Sequence, residues 1–409
     1  MTAHLTTTTP RDTHAAPGTE GVTALIHLAA ADAPARLQTL DADGGFAWWY
    51  VDMIDARGNG LVLIWSFGLP FLPGYTSAAR AGGAPAARTR PSLNVARYEQ
   101  RRCTFYQLLE LDEREASWHV EPGANPGDRT EIWTLGDSRI TSTHTAGRVE
   151  LTVHLDCPIA QSARRLKLDV TGTGARARLP ANATDADEHA LHLWAPLAVR
   201  LDVDVSFDTG GSAPERWRGR AYHDRNDGLR HIDGFDIDHW IWGRSIGPAL
   251  TRVWYLLWPR GGADPVCLGL EVGDDGSTRL VTDLTVRPGT ARRRLWGMTH
   301  WPELVLLEGD RHWLTVTTDA VVDDGPFYLR VVGTASAPGV APTPMLGELV
   351  RPDRVDLARH RPLVRMRVHR SDGRNSWWLP LFSGPARTRI RRLLRLEPTA
   401  PALPDGGTR

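Results

Sequence analysis

The stretch from Trp217 to Arg244 concentrates polar groups between aromatic residues. It reads Trp217-Arg-Gly-Arg-Ala-Tyr222-His223-Asp224-Arg225-Asn226-Asp227-Gly228, then Trp240-Ile-Trp242-Gly-Arg244. If the first part is a strand, its side chains alternate, so Tyr222 and Asp224 share one face and His223 takes the other. A carboxylic acid beside aromatic walls has its pKa raised by desolvation. Such an acid can protonate an alkene, which makes Asp224 a candidate general acid. Asn226 and Gly228 equally suit a turn-and-ladder motif, because Asn and Asp bond their own backbone.

Other chemical signals are weaker. Gly243-Arg-Ser245-Ile-Gly247 matches the Gly-x-Ser-x-Gly elbow of hydrolases, but that elbow needs a strand–turn–helix, and the surrounding pattern is β. His189, His192, His223, His231 and His239 are spaced without a tight His/carboxylate triad; they read as surface histidines, and no metal is expected. Arg387, Arg389, Arg391, Arg392 and Arg395 surround Ile390, Leu393 and Leu394. That pattern predicts a short C-terminal helix, packed on the protein or laid on an anionic membrane surface. Trp377-Trp378-Leu379-Pro380-Leu381-Phe382 reads as a core strand.

The elements that must position Asp224 are short strands between turn signals. Trp49–Ile54, the turn Asp55–Gly60 and Leu61–Phe67 form a hairpin. Residues 102–110, 117–120, 131–135, 150–155, 166–170 and 191–207 continue the series, and Leu201–Phe207 alternates strictly. The Gly/Ser/Pro-rich segment Asp208–Glu215 is taken as a domain boundary. A second β-series follows, from Thr251–Trp258 to Leu363–His369. Many short strands argue for barrels or sandwiches. The expected organisation is a flexible segment 1–36, a first barrel 37–210 and a second barrel 211–398.

With 409 residues, two domains are the natural expectation. The net charge is zero, which gives no electrostatic reason for a nucleic-acid partner. Trp is frequent, 16 against 7 Tyr and 8 Phe, as suits either a β core or a cavity walled by flat aromatics around an apolar ligand. The three cysteines, Cys103, Cys157 and Cys267, are widely spaced and indicate no disulfide framework or zinc site. The N-terminus lacks a basic region followed by an apolar one, and the apolar run Leu61–Leu72 is too short to span a bilayer. A cytoplasmic protein is expected.

The block Gly219–Gly228 followed by Trp240-Ile-Trp242-Gly-Arg resembles the signature of the carotenoid 1,2-hydratase (hydroxyneurosporene synthase) family. Trp48-Trp49-Tyr50-Val51-Asp52, Gly60–Ile64 leading to Pro70-Phe71, Leu193-Trp194-Ala195-Pro196 and Gly325-Pro326-Phe327-Tyr328 resemble further family segments in the same order. The resemblance implies an all-β protein of two lipocalin-like antiparallel barrels with a ligand cavity near their junction. It implies addition of water across the terminal double bond of an acyclic carotenoid or similar polyene, by protonation and water capture, with no cofactor. Alternatives on the same scaffold are a cyclase or pericyclase, or a carrier of apolar ligands. The resemblance points to Asp224, His223 and Asp227 for catalysis, His223 relaying protons or holding water. It assigns Tyr222, Asn226, Trp240, Trp242, Trp49, Asp52, Trp254 and Tyr255 to substrate contact, Asp52 being a second acid candidate. Two departures stand out. Asp227 occupies a position where many relatives have Trp, and Val253–Trp258 lacks a carboxylate that relatives often carry on that strand. A lipid-borne substrate would also suit contact with the inner membrane surface.

Overall fold

A computed structural model describes residues 26–125, 127–160, 162–180 and 192–385. The helix expected around Ile390–Leu394, and His189, lie outside the described residues. Strands used below are β1 (Phe46–Ile54), β2 (Gly60–Phe67), β3 (Pro91–Glu99), β4 (Arg102–Glu110), β5 (His192–Asp208), β6 (Glu215–Gly228), β7 (Ile237–Ile246), β8 (Leu250–Pro259), β9 (Arg311–Asp324), β10 (Tyr328–Ser336), β11 (Thr343–Val350) and β12 (Val368–Arg370).

Among the described residues the strands form two large sheets, of thirteen and nine strands. The first runs β12-β4-β3-β2-β1-β6-β5 and continues through Arg165–Ala175, Arg148–Pro158, Ser138–His144 and Arg129–Leu135 to Ala116–Pro122. It curls into a nearly closed barrel, and its far strands return to face β1 and β2: the rings of Trp49 and Trp133 lie 4.0 Å apart, those of Phe67 and Trp118 5.7 Å. The second sheet includes β8-β7-β11-β10-β9 in that order and forms a half-barrel. The architecture is the expected all-β, lipocalin-like one.

The two sheets pack face to face, and strict alternation decides which side chains meet. On β1, Ala47, Trp49, Val51 and Met53 fill the barrel, while Phe46 and Tyr50 face the second sheet. Val62 and Ile64 on β2 face it too, whereas Leu61, Leu63, Trp65 and Phe67 point into the barrel. Burial on both faces explains why Leu61–Phe67 is apolar throughout. On the second sheet, Trp240 and Trp242 of β7 and Tyr255 and Leu257 of β8 face the first sheet. Ile241, Trp254 and Leu256 point into the half-barrel. Trp254 lies flat across Gly243, where a Cβ would meet its ring at 2.3 Å.

Several expectations need correction. Asp208–Glu215 is not a passage between units: β5 and β6 pair across it as an antiparallel hairpin of the first sheet, and the chain changes sheets between Gly228 and Ile237. The same Gly/Ser/Pro composition serves a hairpin turn and a linker. Of the segment expected to be flexible, residues 26–36 are packed: His27–Leu28 pair with Leu193–Trp194, and Arg225 donates to the carbonyls of Ala33 and Pro34. Leu363–His369 is not one strand but a helical turn, Arg361–Arg365, followed by β12. Trp377 and Trp378 are 94% and 58% exposed ahead of a short helix, Leu379–Phe382, so that segment is not a core strand.

Candidate active site

Two rows of cross-strand neighbours face each other between the sheets. In the first sheet, Asp224, Tyr50, Ile64, Asn94 and Leu108 are successive partners across β6, β1, β2, β3 and β4. In the second, Tyr255, Trp242, Glu348, Arg330 and Asp323 are successive partners across β8, β7, β11, β10 and β9. The rows run side by side in the same direction. Trp194, which holds Asp224, packs edge-on against Tyr255 with centroids 5.7 Å apart, and Trp242 lies 5.3 Å from both Tyr50 and Tyr222.

These rows enclose a narrow chamber with a free volume of about 40 Å³, walled by Trp48, Tyr50, Asp224, Asn226, Trp240, Trp242, Tyr255, Tyr328 and Glu348. A wider, mostly apolar chamber of about 450 Å³ adjoins it and shares Ile64, Leu69, Phe71 and Tyr328 with it. Leu108, Val364, Met366 and Phe382 supply more apolar wall, and Leu295 and Trp296 also line it. The shape is a slender inner end carrying polar groups and an apolar hall large enough for a chain-like molecule.

Asp224 is 3% exposed. Its Oδ2 accepts from the Tyr222 hydroxyl at 2.7 Å and from Trp194 Nε1 at 2.9 Å, and its Oδ1 accepts from Asn226 Nδ2 at 3.2 Å. Burial pushes the carboxyl up to about 8; the Tyr222 and Trp194 hydrogen bonds pull against this, while the charges of Asp52 and Glu348 add to it. At neutral pH Asp224 is a carboxylic acid. Trp Nε1 can only donate, so Oδ2 already has two donors and the acid proton belongs on Oδ1. His192 completes the chain. It is 2% exposed, its pKa falls to about 4 by burial, and its Nε2 lies 3.1 Å from Asn226 Oδ1. Neutral His192 donates to Asn226, which turns the amide N–H₂ toward Asp224.

The chamber brings together Asp224, Asn226, Trp240, Trp242 and Tyr255, and Tyr222 joins them through its hydrogen bond to Asp224. It does not bring together the rest of the expected set. His223 lies on the opposite face of β6, buried in the first barrel with Nδ1 2.9 Å from the Tyr50 carbonyl, and burial lowers its pKa to about 4. Asp227 shares that face, beside Arg225 (3.4 Å) and Arg36. It cannot substitute for a chamber carboxylate. Trp49 is packed in the barrel and Trp254 in the half-barrel. Asp52 faces the second sheet, but Arg244 occupies it; burial raises its pKa and Arg244 opposes that rise. Ser245 lies within β7, 3.2 Å from the Pro344 carbonyl, so the Gly-x-Ser-x-Gly match is no elbow. Among the described residues no group of His, Cys, Asp and Glu is placed to hold a metal ion.

Sequence reasoning missed His192, Trp194, Tyr50, Glu348 and Arg330. His192 was read as a surface histidine, yet His192-Leu193-Trp194 alternates like Tyr222-His223-Asp224 and pairs with Gly228-Asp227-Asn226 on the same strand, β6. Glu348 and Arg330 each stand alone in an apolar strand, Leu346-Gly-Glu348-Leu349 and Leu329-Arg330-Val331-Val332, which is the signal they offered. The carboxylate missing from β8 has a counterpart on β11, two strands away.

Comparison with known proteins gives the family and the fold. A model of the carotenoid hydratase family CrtC matches residues 128–377. The hydroxyneurosporene dehydrogenase of Chlorobaculum tepidum is 27% identical over 315 residues, covering 73% of this chain and 79% of that protein. The acyclic carotenoid 1,2-hydratase of Rubrivivax gelatinosus is 32% identical over 223 residues, 52% of this chain and 48% of that one. Its counterpart in Thiocapsa roseopersicina is 29% identical over 241 residues, 56% and 52%. The chain thus spans about half the length of these two hydratases. Among solved structures, an AttH protein of Nitrosomonas europaea superposes with a TM-score of 0.50 at 15% identity, over 75% of this chain and 92% of that one. CghA bound to Sch210972 superposes with a TM-score of 0.51 at 12% identity, over 75% and 88%. Both share the fold.

Proposed function

Because the chain belongs to the carotenoid hydratase family, we propose that it adds water across the terminal carbon–carbon double bond of an acyclic carotenoid or a similar polyene. The observation that carries this reading is Asp224, a buried acid with its pKa pushed up to about 8 among aromatic faces. Asp224 Oδ1 gives its proton to the less substituted alkene carbon. The tertiary carbocation that results lies among Tyr50, Trp242 and Tyr255, whose ring faces attract positive charge. Water captures the cation and yields a tertiary alcohol. Tyr222, Trp194, Asn226 and His192 act by positioning Asp224.

The wider apolar chamber takes the remaining polyene chain, and its volume of about 450 Å³ supports that role. Leu295 and Trp296, 64% and 37% exposed where they line this chamber, are the residues that would touch a membrane surface carrying such a substrate. Among the described residues no helix is long and apolar enough to cross a membrane. The three cysteines are buried and form no disulfide, which fits a reducing compartment.

The test is co-expression in a bacterium that accumulates lycopene or neurosporene, with pigments resolved by chromatography and mass spectrometry. The expected result is a pigment heavier by one water with the protein and none with Asp224→Asn. Unchanged pigment in the presence of folded protein would rule out these substrates. Flotation with anionic liposomes reads the surface contact, and loss of flotation in a Leu295→Ser/Trp296→Ser double variant is expected.

A further inference from the structure

Alkene hydration needs a base as well as an acid, because the captured water must lose a proton. We propose that Glu348 is that base, and that it holds the reacting water with Tyr50 and Trp242; this rests on the hydratase reading above.

Three observations converge. First, position. Glu348 lines the same chamber as Asp224, and it is reached from Tyr255 by passing two strands along the second row. Two strand spacings put the Glu348 backbone about 10 Å along the row from Tyr255, the residue that Asp224 faces from the first sheet through Trp194.

Second, the state of the carboxylate. Arg330 Nε and Nη2 both lie 3.0 Å from the same oxygen, Oε1. Arg330 also donates from Nη1 to the Tyr98 hydroxyl at 2.8 Å, so its fork is fixed. A guanidinium forked onto Oε1 fixes the carboxylate in place and leaves Oε2 to act. The Glu348 side chain is 14% exposed within the sheet junction, against 1% for Arg330.

Third, unmet polar atoms. Trp242 Nε1 is buried with no hydrogen-bond partner, and the buried Tyr50 hydroxyl leans only on Asp52 and keeps hydrogen-bonding capacity to spare; both residues line the chamber. Buried polar groups in folded proteins are nearly always paired, with protein or with ordered water. These two atoms stand beside a carboxylate and a free volume of about 40 Å³, room for about three waters at roughly 10–15 Å³ each. Trp242 Nε1 donates to a water oxygen and the Tyr50 hydroxyl donates or accepts, so one water can meet both and Glu348 Oε2.

The step balances. The alkene π pair forms the new C–H bond with the Asp224 proton. A lone pair of the water oxygen then forms the C–O bond at the tertiary carbon, and an O–H proton passes to Glu348 Oε2. The cycle ends with Asp224 ionised and Glu348 protonated, and exchange with solvent resets both.

The deciding experiment incubates purified full-length protein with neurosporene in detergent and D₂O. It follows hydrated product and deuterium in recovered substrate. A protonation that reverses before capture leaves deuterium in the substrate. Glu348→Gln is expected to hydrate at least 100-fold more slowly while still introducing deuterium in an Asp224-dependent way, with neurosporene binding, read by tryptophan quenching, unchanged. Tyr50→Phe, which removes one hydroxyl, is expected to lower hydration about 10-fold with the same retained exchange, and it decides the matter if Glu348→Gln does not fold. Near-normal hydration by either folded variant, or equal loss of exchange and hydration, overturns the assignment of Glu348 and leaves the hydratase reading standing. No Asp224-dependent product or exchange in the parent protein overturns both.

Discussion

Arg244 on β7 donates from Nε to Asp52 Oδ1 on β1 at 2.6 Å, and both side chains are buried to within 1% of complete. The pair rivets the two sheets beside the chamber. The mutual orientation of acid and base therefore depends on a contact that takes no part in chemistry.

Removing one partner of such a pair strands the other in a medium that cannot solvate it. Asp52→Ala is expected to cost about 3–5 kcal/mol of stability, read as a lower midpoint in urea unfolding. Hydration by the fraction still folded should fall far less than in Asp224→Asn, which separates Asp52 from Asp224. A variant of normal stability would show that Arg244 finds another partner.

Asp224→Asn keeps shape and loses the proton. Hydration should fall by about 10²–10⁴, the usual contribution of a positioned general acid, while polyene binding is retained. Turnover and tryptophan quenching on one preparation check both halves.

The pH dependence follows from the raised carboxyl. Asp224 works in its protonated form, so activity should be flat through neutrality and fall as pH rises through about 8. Stability shares the sign. The native state holds this proton more tightly than the unfolded chain, so the stabilising contribution is complete below the ordinary aspartate range and is lost as pH climbs to about 8. Asp224→Asn should flatten stability across that window, as urea titrations at stepped pH would reveal.

Tyr222→Phe deletes a donor to Oδ2, one of the two hydrogen bonds that favour the ionised form. The alkaline fall in activity should therefore move to higher pH, with a lower plateau because the acid is weaker. A shift to lower pH would contradict the hydrogen-bond assignment.

Ile64 belongs to both chambers. Ile64→Trp should choke the passage between them. Hydration of a C40 polyene should drop at least 10-fold, while a short acyclic terpene that fits the inner end should be affected less. Competition between the two substrates measures this directly.

Period-2 alternation separates Tyr222, Asp224 and Asn226 from His223 and Asp227 without reference to any partner, yet the sequence reading drew site residues from both faces of β6, because alternation alone does not say which face meets the second sheet. Nor did the sequence disclose the ligand face of β1 or β8. Both faces of those strands are buried and aromatic, so Trp49 and Trp254 looked as suitable as Tyr50 and Tyr255. Glu348 and Arg330 escaped for another reason. Each is one polar residue in an apolar strand, and its meaning comes from a register that sets it facing residues hundreds of positions earlier. The hairpin turn at Asp208–Glu215 was misread because turn chemistry is local, whereas the pairing of β6 with β1 is not.

The parallel pairing of β12 with β4 has a consequence in time. Arg370 meets Glu110 across 260 residues of intervening chain. At about 5–20 residues per second, a ribosome leaves the edge of β4 bare for tens of seconds after the strand emerges. An uncapped edge is a template for the wrong neighbour. Premature termination anywhere before Val368 should therefore yield an adhesive fragment instead of a smaller working protein, and slowed synthesis should lower the yield of folded chains.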